Sequence, residues 1–114
     1  MADVVLTKQK VESGKTEQLR EWMDEIRQRE DEARETHENE GMISEAAFLE
    51  QTEDGDFLIY YMEAEDMEYA YEAFGDSTHD IDAEHKAVMN DVLEDDPNVG
   101  GFELFYHFRN PNQP

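Results

Sequence analysis

The sequence of 114 residues has no cysteine and few basic residues. Without cysteine, disulfide bonds, thiolate metal ligands and cysteine nucleophiles are all excluded. Lysine and arginine together number 9 against 31 aspartates and glutamates, and the formal net charge is -22. Because binding to nucleic-acid phosphates or to anionic membrane surfaces requires concentrated basic residues, neither is predicted as a partner.

Long apolar runs are also missing. The longest uninterrupted one covers residues 57–62, whereas a membrane-spanning helix needs about 20 apolar residues. The first residues of the sequence lack the basic stretch and apolar run of a signal peptide. Neither export nor membrane insertion is therefore expected.

The acidic residues are spread along the whole chain rather than collected in one block. Such a charge balance is typical of disorder, but strand-favouring aromatic and aliphatic residues cluster at 57–62 and 102–108 and favour a folded domain. Repulsion between like charges weakens in salt, since the screening length falls to about 3 Å at 1 M. The composition therefore predicts a halophilic protein in a salt-rich cytoplasm, with an ordinary acidic protein as the alternative.

Turn and periodicity signals define the order of elements. We predict, in order, a strand over 4–11, a long helix ending at Gly41, strands over 43–51 and 57–64 joined by an Asp-Gly turn, helices beginning at Asp66 and Asp82, and a strand over 102–109. This is the β-α-β-β-α-β order of the ferredoxin-like fold, an α+β class with an antiparallel sheet. Residues 1–109 would form this single domain and residues 110–114 a disordered tail.

The strand over 57–64 is apolar on both of its faces, with Leu58, Tyr60 and Met62 alternating with Phe57, Ile59 and Tyr61. An antiparallel sheet with one face in water should alternate between apolar and polar residues. A second copy of the sheet is the simplest cover for the extra apolar face. We therefore predict a homodimer in which two sheets enclose a cavity.

The opening strand, the segment Val11-Glu12-Ser13-Gly14-Lys15 and the following Leu- and Trp-containing helix resemble the start of proteins of the dimeric α/β-barrel superfamily. The later segment 71–85, which begins Tyr71-Glu72-Ala73-Phe74 and ends Ile81-Asp82-Ala83-Glu84-His85, resembles small halophile proteins of that superfamily whose function is unassigned. The resemblance covers nearly the whole chain and implies a dimeric α/β barrel. The superfamily includes antibiotic-biosynthesis-type monooxygenases, haem-degrading and haem-binding proteins, sugar mutarotases and stress-responsive proteins.

The last predicted strand carries the first candidate site. Alternation places Glu103, Phe105, His107 and Arg109 on one face, which would look into the barrel. There His107 could accept a proton from an anionic or enolic ligand, with Arg109 as its charge partner. Tyr61 would face the same cavity, and we predict His107 and Tyr61 as catalytic residues. An intersubunit hydrogen-bond network is the alternative for this group.

Two further residues are candidate ligand contacts. His85 shares a helical face with Val88 and Met89, and it could instead bond back to the helix cap at Asp82. Trp22 lies in the apolar stripe of the long helix, where it could equally be core. His37 extends that stripe, and near a helix end its charged form is favourable on dipole grounds alone.

The acidic segment from His79 to His85 has the composition of a metal site but not the spacing of a zinc helix or a calcium loop. The asparagine, histidine and tryptophan of haem-degrading proteins also cannot be aligned to this sequence. No metal and no cofactor are therefore predicted.

These observations predict a halophilic homodimer with a small-molecule pocket, acting as a cofactor-independent monooxygenase or an isomerase. The first alternative is a non-catalytic structural or stress-related module, in which the apolar face serves only to join subunits. The second is a metal- or haem-binding protein.

Overall fold

A computed structural model of the chain describes residues 2–95, 99 and 101–112. Its elements are, in order, β1 (Asp3–Lys10), α1 (Thr16–Gln28), α2 (Glu30–Glu40), β2 (Met42–Thr52), β3 (Gly55–Ala64), α3 (Met67–Asp76) and α4 (Asp80–Val92). Within the described residues the fold is α+β, with a three-stranded antiparallel sheet and four helices. None of these helices is long and apolar enough to cross a membrane.

The sheet has the strand order β1-β3-β2, with β3 in the middle. The predicted hairpin between β2 and β3 is confirmed, and its ladder runs from Met42 opposite Ala64 to Thr52 opposite Gly55. Gly55 has a φ of 126°, and a Cβ atom there would come within 2.9 Å of the Lys10 side chain. A larger residue at this turn would therefore be strained by its φ angle, and the end of the Lys10 side chain would have to move aside.

The predicted long helix is broken at Arg29, which separates α1 from α2. The Arg29 backbone leaves helical geometry at φ -110° and ψ 37°. Its guanidinium group binds carboxylates from three helices, Glu25 at 3.0 Å, Glu32 at 2.8 Å and Glu84 at 2.7 Å. These contacts hold α1, α2 and α4 together at the break.

The prediction of a final strand over 102–109 is wrong for this chain taken alone. Residues 101–110, called here the C-terminal segment, form neither strand nor helix. Glu94 and Val99, which precede it, do lie beside β1, since their amides donate to the carbonyls of Lys10 and Lys8 at 2.9 and 2.8 Å. A sequence with strand propensity forms a strand only where a partner supplies the ladder of hydrogen bonds. The ferredoxin-like order is therefore not completed.

The predicted tail over 110–114 is described only in part. The Asn112 amide donates to the side-chain oxygen of Asn110 at 2.9 Å. Residues 113 and 114 lie outside the described part of the chain.

The two faces of the sheet differ. The inner face, which carries Leu58, Tyr60 and Met62, packs against the helices through two separate buried clusters. One contains Val11, Leu19, Leu58, Val92 and Leu93, and the other contains Ala64, Met67 and Ala70. Tyr60 packs against the first cluster and Met62 against the second. The outer face carries Tyr61, Leu6 and Phe48, and the last two are exposed.

Candidate functional site

A cavity of about 840 Å³ lies between the inner face and helices α2, α3 and α4. We call it the inner cavity. Tyr60 and Met62 form its floor, in the gap between the two buried clusters. Its walls are largely apolar, and their apolar side chains include Met42, Met67, Phe74, Ile81 and Met89. The polar side chains that reach it include Thr36, His37, Glu40, Glu45, Asp82 and His85.

The imidazole of His85 is fixed by Trp22. The indole Nε1 of Trp22 lies 2.9 Å from Nδ1 of His85. Because an indole N–H can only donate, Nδ1 must be the acceptor. In the neutral imidazole the proton is therefore on Nε2, which lies 3.5 Å from the hydroxyl oxygen of Tyr60. Phe74 closes the arrangement, with its ring edge against the imidazole at a centroid distance of 6.1 Å.

His85 and Tyr60 form an uncharged polar pair. Burial lowers the pKa of His85, and this outweighs the opposite influence of Glu45 and Asp82. Burial also raises the pKa of the Tyr60 hydroxyl, with a smaller contribution from Glu45. At neutral pH the imidazole and the phenol are therefore both neutral. They can direct an N–H or O–H donor at a ligand oxygen without carrying charge into an apolar cavity.

A second polar group lies where the end of α2 meets the start of α4. Helical spacing places Thr36 one turn before Glu40, and α4 brings Asp82 beside them. The Thr36 hydroxyl donates to Asp82 and lies 3.4 Å from Glu40. The Ser77 hydroxyl also donates to Asp82, at 2.6 Å. Burial and the charge of Asp82 raise the pKa of Glu40 to about 7.

His37 and Glu45 form the third polar group of the inner cavity. The imidazole Nε2 lies 3.5 Å from a carboxylate oxygen of Glu45. The hydrogen bond with Glu45 raises the pKa of His37, against the effect of partial burial. His37 is therefore the histidine of this cavity whose charged form is favoured, in contrast to His85.

The site residues predicted from the sequence lie in two different parts of the structure. Trp22 and His85 meet at the inner cavity. Tyr61 faces the opposite side of β3 from Tyr60, and it pairs in register with Leu6 and Ala46.

The other predicted residues belong to the C-terminal segment. His107 and Arg109 approach the buried carboxylate of Glu63 on β3, at 3.6 and 3.7 Å. Glu103 and Phe105 are exposed. The roles of these residues in a barrel between two sheets stay predictions.

The site residues predicted from the sequence did not include Tyr60, Glu40, Glu45 and Asp82. For Glu45 a signal was present, since strand alternation places it on the same face as Ala47 and Leu49. For Glu40 the signal was weaker, because a glutamate just before a helix-ending glycine is usually in solvent. Within residues 2–95, 99 and 101–112 no group of three or more histidines and carboxylates is arranged to hold a metal ion.

The model of a family described as a family of unknown function, DUF6176, matches residues 2–113. No curated protein and no solved structure matches the chain.

Proposed function

Because the chain belongs to the DUF6176 family, whose function is unknown, we propose a function from the chemistry of the inner cavity alone. The chain binds a small organic molecule between the sheet and the helices and transfers a proton on it. The observation that carries this proposal is the His85 imidazole, fixed by Trp22 and facing the cavity beside Tyr60. The cavity volume of about 840 Å³ falls in the range of ligand pockets, which is about 300–1,000 Å³.

The polar groups have different roles in the proton transfer. His85 Nε2–H and the Tyr60 hydroxyl donate hydrogen bonds to a carbonyl or enolate oxygen of the ligand, which stabilises the negative charge that develops there. Glu40 exchanges the proton, since a group with a pKa of about 7 can both accept and release it at neutral pH. The reaction class this supports best is isomerisation through an enol. A cofactor-independent oxygenation would use the same deprotonation and would also need dioxygen.

A screen for ligands followed by an exchange measurement tests this function. Metabolites that raise the melting temperature in molar KCl are first identified, and each is then incubated with the protein in D₂O. We expect a carbon-bound hydrogen of a true ligand to exchange for deuterium, seen as loss of its proton NMR signal. The exchange should be lost in Glu40→Gln and strongly slowed in Tyr60→Phe. Tyr61→Phe, a change on the other face of the same strand, should leave it intact.

The outcomes separate the competing functions. Ligands that bind without exchange would indicate a non-catalytic binding module. If no compound stabilises the wild-type protein, or if binding is unchanged when Ala33→Trp fills the cavity, the inner cavity is not a ligand site.

We also propose that the chain forms a homodimer through the outer face of the sheet, as the dimeric α/β-barrel resemblance implies. The support is an unusual exposure of aromatic side chains, with Phe105 86% and Phe108 83% exposed in the C-terminal segment and Phe48 57% exposed on the outer face. Each copy carries both an apolar sheet face and an apolar segment without a strand partner. In a closed two-fold dimer, the segment of each copy would pack on the sheet of the other. Lys8, Lys10 and Arg109 lie on this side and reduce the repulsion between two acidic chains.

Sedimentation in molar KCl tests the dimer. We expect the wild-type protein to sediment at twice the mass of the chain. The double variant Phe105→Ser and Phe108→Ser should sediment as a monomer, while Tyr69→Ser, which removes an exposed aromatic residue of α3, should not change the mass. A monomeric wild-type protein would overturn the proposal. The acidic composition further supports a salt-rich cytoplasm as the place where this dimer works.

A further inference from the structure

We propose that the ligand of the inner cavity is a protonated amine with an apolar, ring-sized body, held at its charged end by Asp82 and by Glu40, which exchanges a proton on the carbon next to the ammonium group. This inference rests on the proposed function, since it names the class of molecule that the same cavity takes. It excludes carboxylates and phosphates as ligands of this cavity.

The basic side chains around the cavity are engaged with groups other than Glu40 and Asp82. His37 is engaged with Glu45. The Lys86 ammonium group lies over the ring of Phe74 and donates to the carbonyl of Gly75 at 3.2 Å. Among the described residues, neither Glu40 nor Asp82 has a basic partner within ion-pair distance. The junction of α2 and α4 therefore presents two carboxylates to the cavity with no cation at ion-pair distance among the described residues, while the more distant His37 partly offsets the charge of Glu40.

Glu40 is buried. Its side chain belongs to a residue only 6% exposed to solvent, and within the described chain its one hydrogen-bond contact is the Thr36 hydroxyl at 3.4 Å. A hydroxyl has a single hydrogen, and that of Thr36 points to the closer Asp82. Glu40 is therefore a desolvated carboxyl group with almost no donor of its own. A buried charge in this position is costly unless a partner supplies hydrogen bonds and opposite charge.

The remaining walls of the cavity favour an organic ligand with an ammonium group. An ammonium group can donate a hydrogen bond to each of two neighbouring carboxylates. Beyond the carboxylates the cavity is lined by Met42, Met67, Tyr71 and Phe74, which favour an apolar or aromatic body. Thioether side chains adapt their shape to flat ligands, and aromatic faces attract a nearby cation. An inorganic cation would leave these apolar walls without contacts.

The proposal is tested with three probes that share one ring system and carry a cationic, a neutral or an anionic substituent of similar size. These are (aminomethyl)anthracene, anthracenemethanol and anthracenecarboxylate, all substituted on the central ring. Binding to the full chain is measured by fluorescence in molar KCl, above the pKa of Glu40, where nonspecific attraction to the acidic surface is screened. We expect the amine to bind most tightly and the carboxylate most weakly.

Matched variants identify the carboxylate that selects the amine. Glu40→Gln should weaken amine binding by about tenfold or more, because a buried ion pair is lost, and should leave anthracenemethanol within about twofold. Glu38→Gln removes the same charge from an exposed position of the same helix, and it should not change either affinity. Glutamine keeps the shape of the buried side chain, so Glu40→Gln is expected to remain folded, which circular dichroism verifies.

The pH dependence adds a readout that depends on Glu40. Amine affinity should rise as the pH increases through about 7, the pKa of Glu40, because the carboxylate form is the one that pairs with the ligand. The groups facing Glu40 are His37 and Thr36 on α2, Glu45 on β2 and Asp82 on α4. Protonation of His37 at lower pH acts in the same direction as protonation of Glu40. The Glu40→Gln variant isolates the part that belongs to Glu40.

The results distinguish failure of this inference from failure of the proposed function. If the neutral or anionic probe binds as tightly as the amine, or if Glu40→Gln binds the amine as well as the wild type, the amine assignment is wrong although the cavity binds ligands. If none of the probes binds, or if Ala33→Trp binds all of them unchanged, the inner cavity itself is not a site.

Discussion

At the scale of single residues, the decisive contact is the one between Trp22 and His85. Trp22 belongs to α1 and His85 to α4, and the 2.9 Å hydrogen bond between them fixes both the orientation and the tautomer of the imidazole. Sequence reasoning identified both residues as candidate ligand contacts. It could not join them, because the apolar stripe of one helix carries no information about which side chain of a distant helix it meets.

Glu40 provides a residue-scale prediction about stability. Its pKa is raised from 4.5 to about 7 in the folded chain, so the folded state holds this proton more tightly than the unfolded state. The stabilisation is complete below the unfolded value and is lost as the pH rises through the folded value. Relative to wild type, Glu40→Gln should therefore gain about 3 kcal/mol of stability as the pH rises from 4.5 to about 7.

Urea unfolding in molar KCl across this range of pH measures the difference. Glu38→Gln, which removes a carboxylate from an exposed position of the same helix, is the matched control. If the difference in unfolding free energy between wild type and Glu40→Gln does not change with pH, Glu40 titrates as in water.

At the scale of elements, the strands were easier to predict than the helix boundaries. β3 and its hairpin with β2 follow from local signals, a turn containing Gly55 between two strand-favouring runs. The break between α1 and α2 has no such signal. It depends on Arg29 reaching Glu84, a residue of α4 that is distant in sequence. Local periodicity therefore predicts one helix where tertiary contacts produce two.

For the C-terminal segment, the sequence predicts a strand that the single chain does not form. Its alternating aromatic residues predict a strand, and the same residues are exposed in the single chain. Strand formation requires a partner edge, which the sequence of one chain cannot specify. The predicted site at His107 and Tyr61 depended on this strand and on a second copy. The inner cavity needed neither, and of the predicted residues only His85 lines it, with Trp22 as the hydrogen-bond partner of His85.

At the scale of the whole molecule, the formal net charge of -22 governs the conditions under which the fold is stable. Ion pairs such as those of Arg29 compensate only a few of the carboxylates. The remaining repulsion acts over about 10 Å at 0.1 M salt and over about 3 Å at 1 M. Salt should therefore stabilise this chain mainly by screening repulsion that acids at the surface exert on one another.

Thermal unfolding followed by circular dichroism checks this expectation. The melting temperature should be clearly higher in about 3 M KCl than in about 0.1 M KCl. Equal melting temperatures at the two concentrations would contradict the halophilic interpretation of the composition. A parallel measurement in sodium sulfate distinguishes screening from a general salting-out effect, since sulfate strengthens apolar burial as well.

The two buried clusters on the inner face have a consequence for cooperativity. Cluster residues such as Leu58 at one end and Ala64 at the other are separated by the inner cavity, so packing at one end does not directly support packing at the other. We therefore expect the two ends to unfold locally as separate units. A molecule that fills the space between them would act as the missing centre of the hydrophobic core and would make the domain unfold as one.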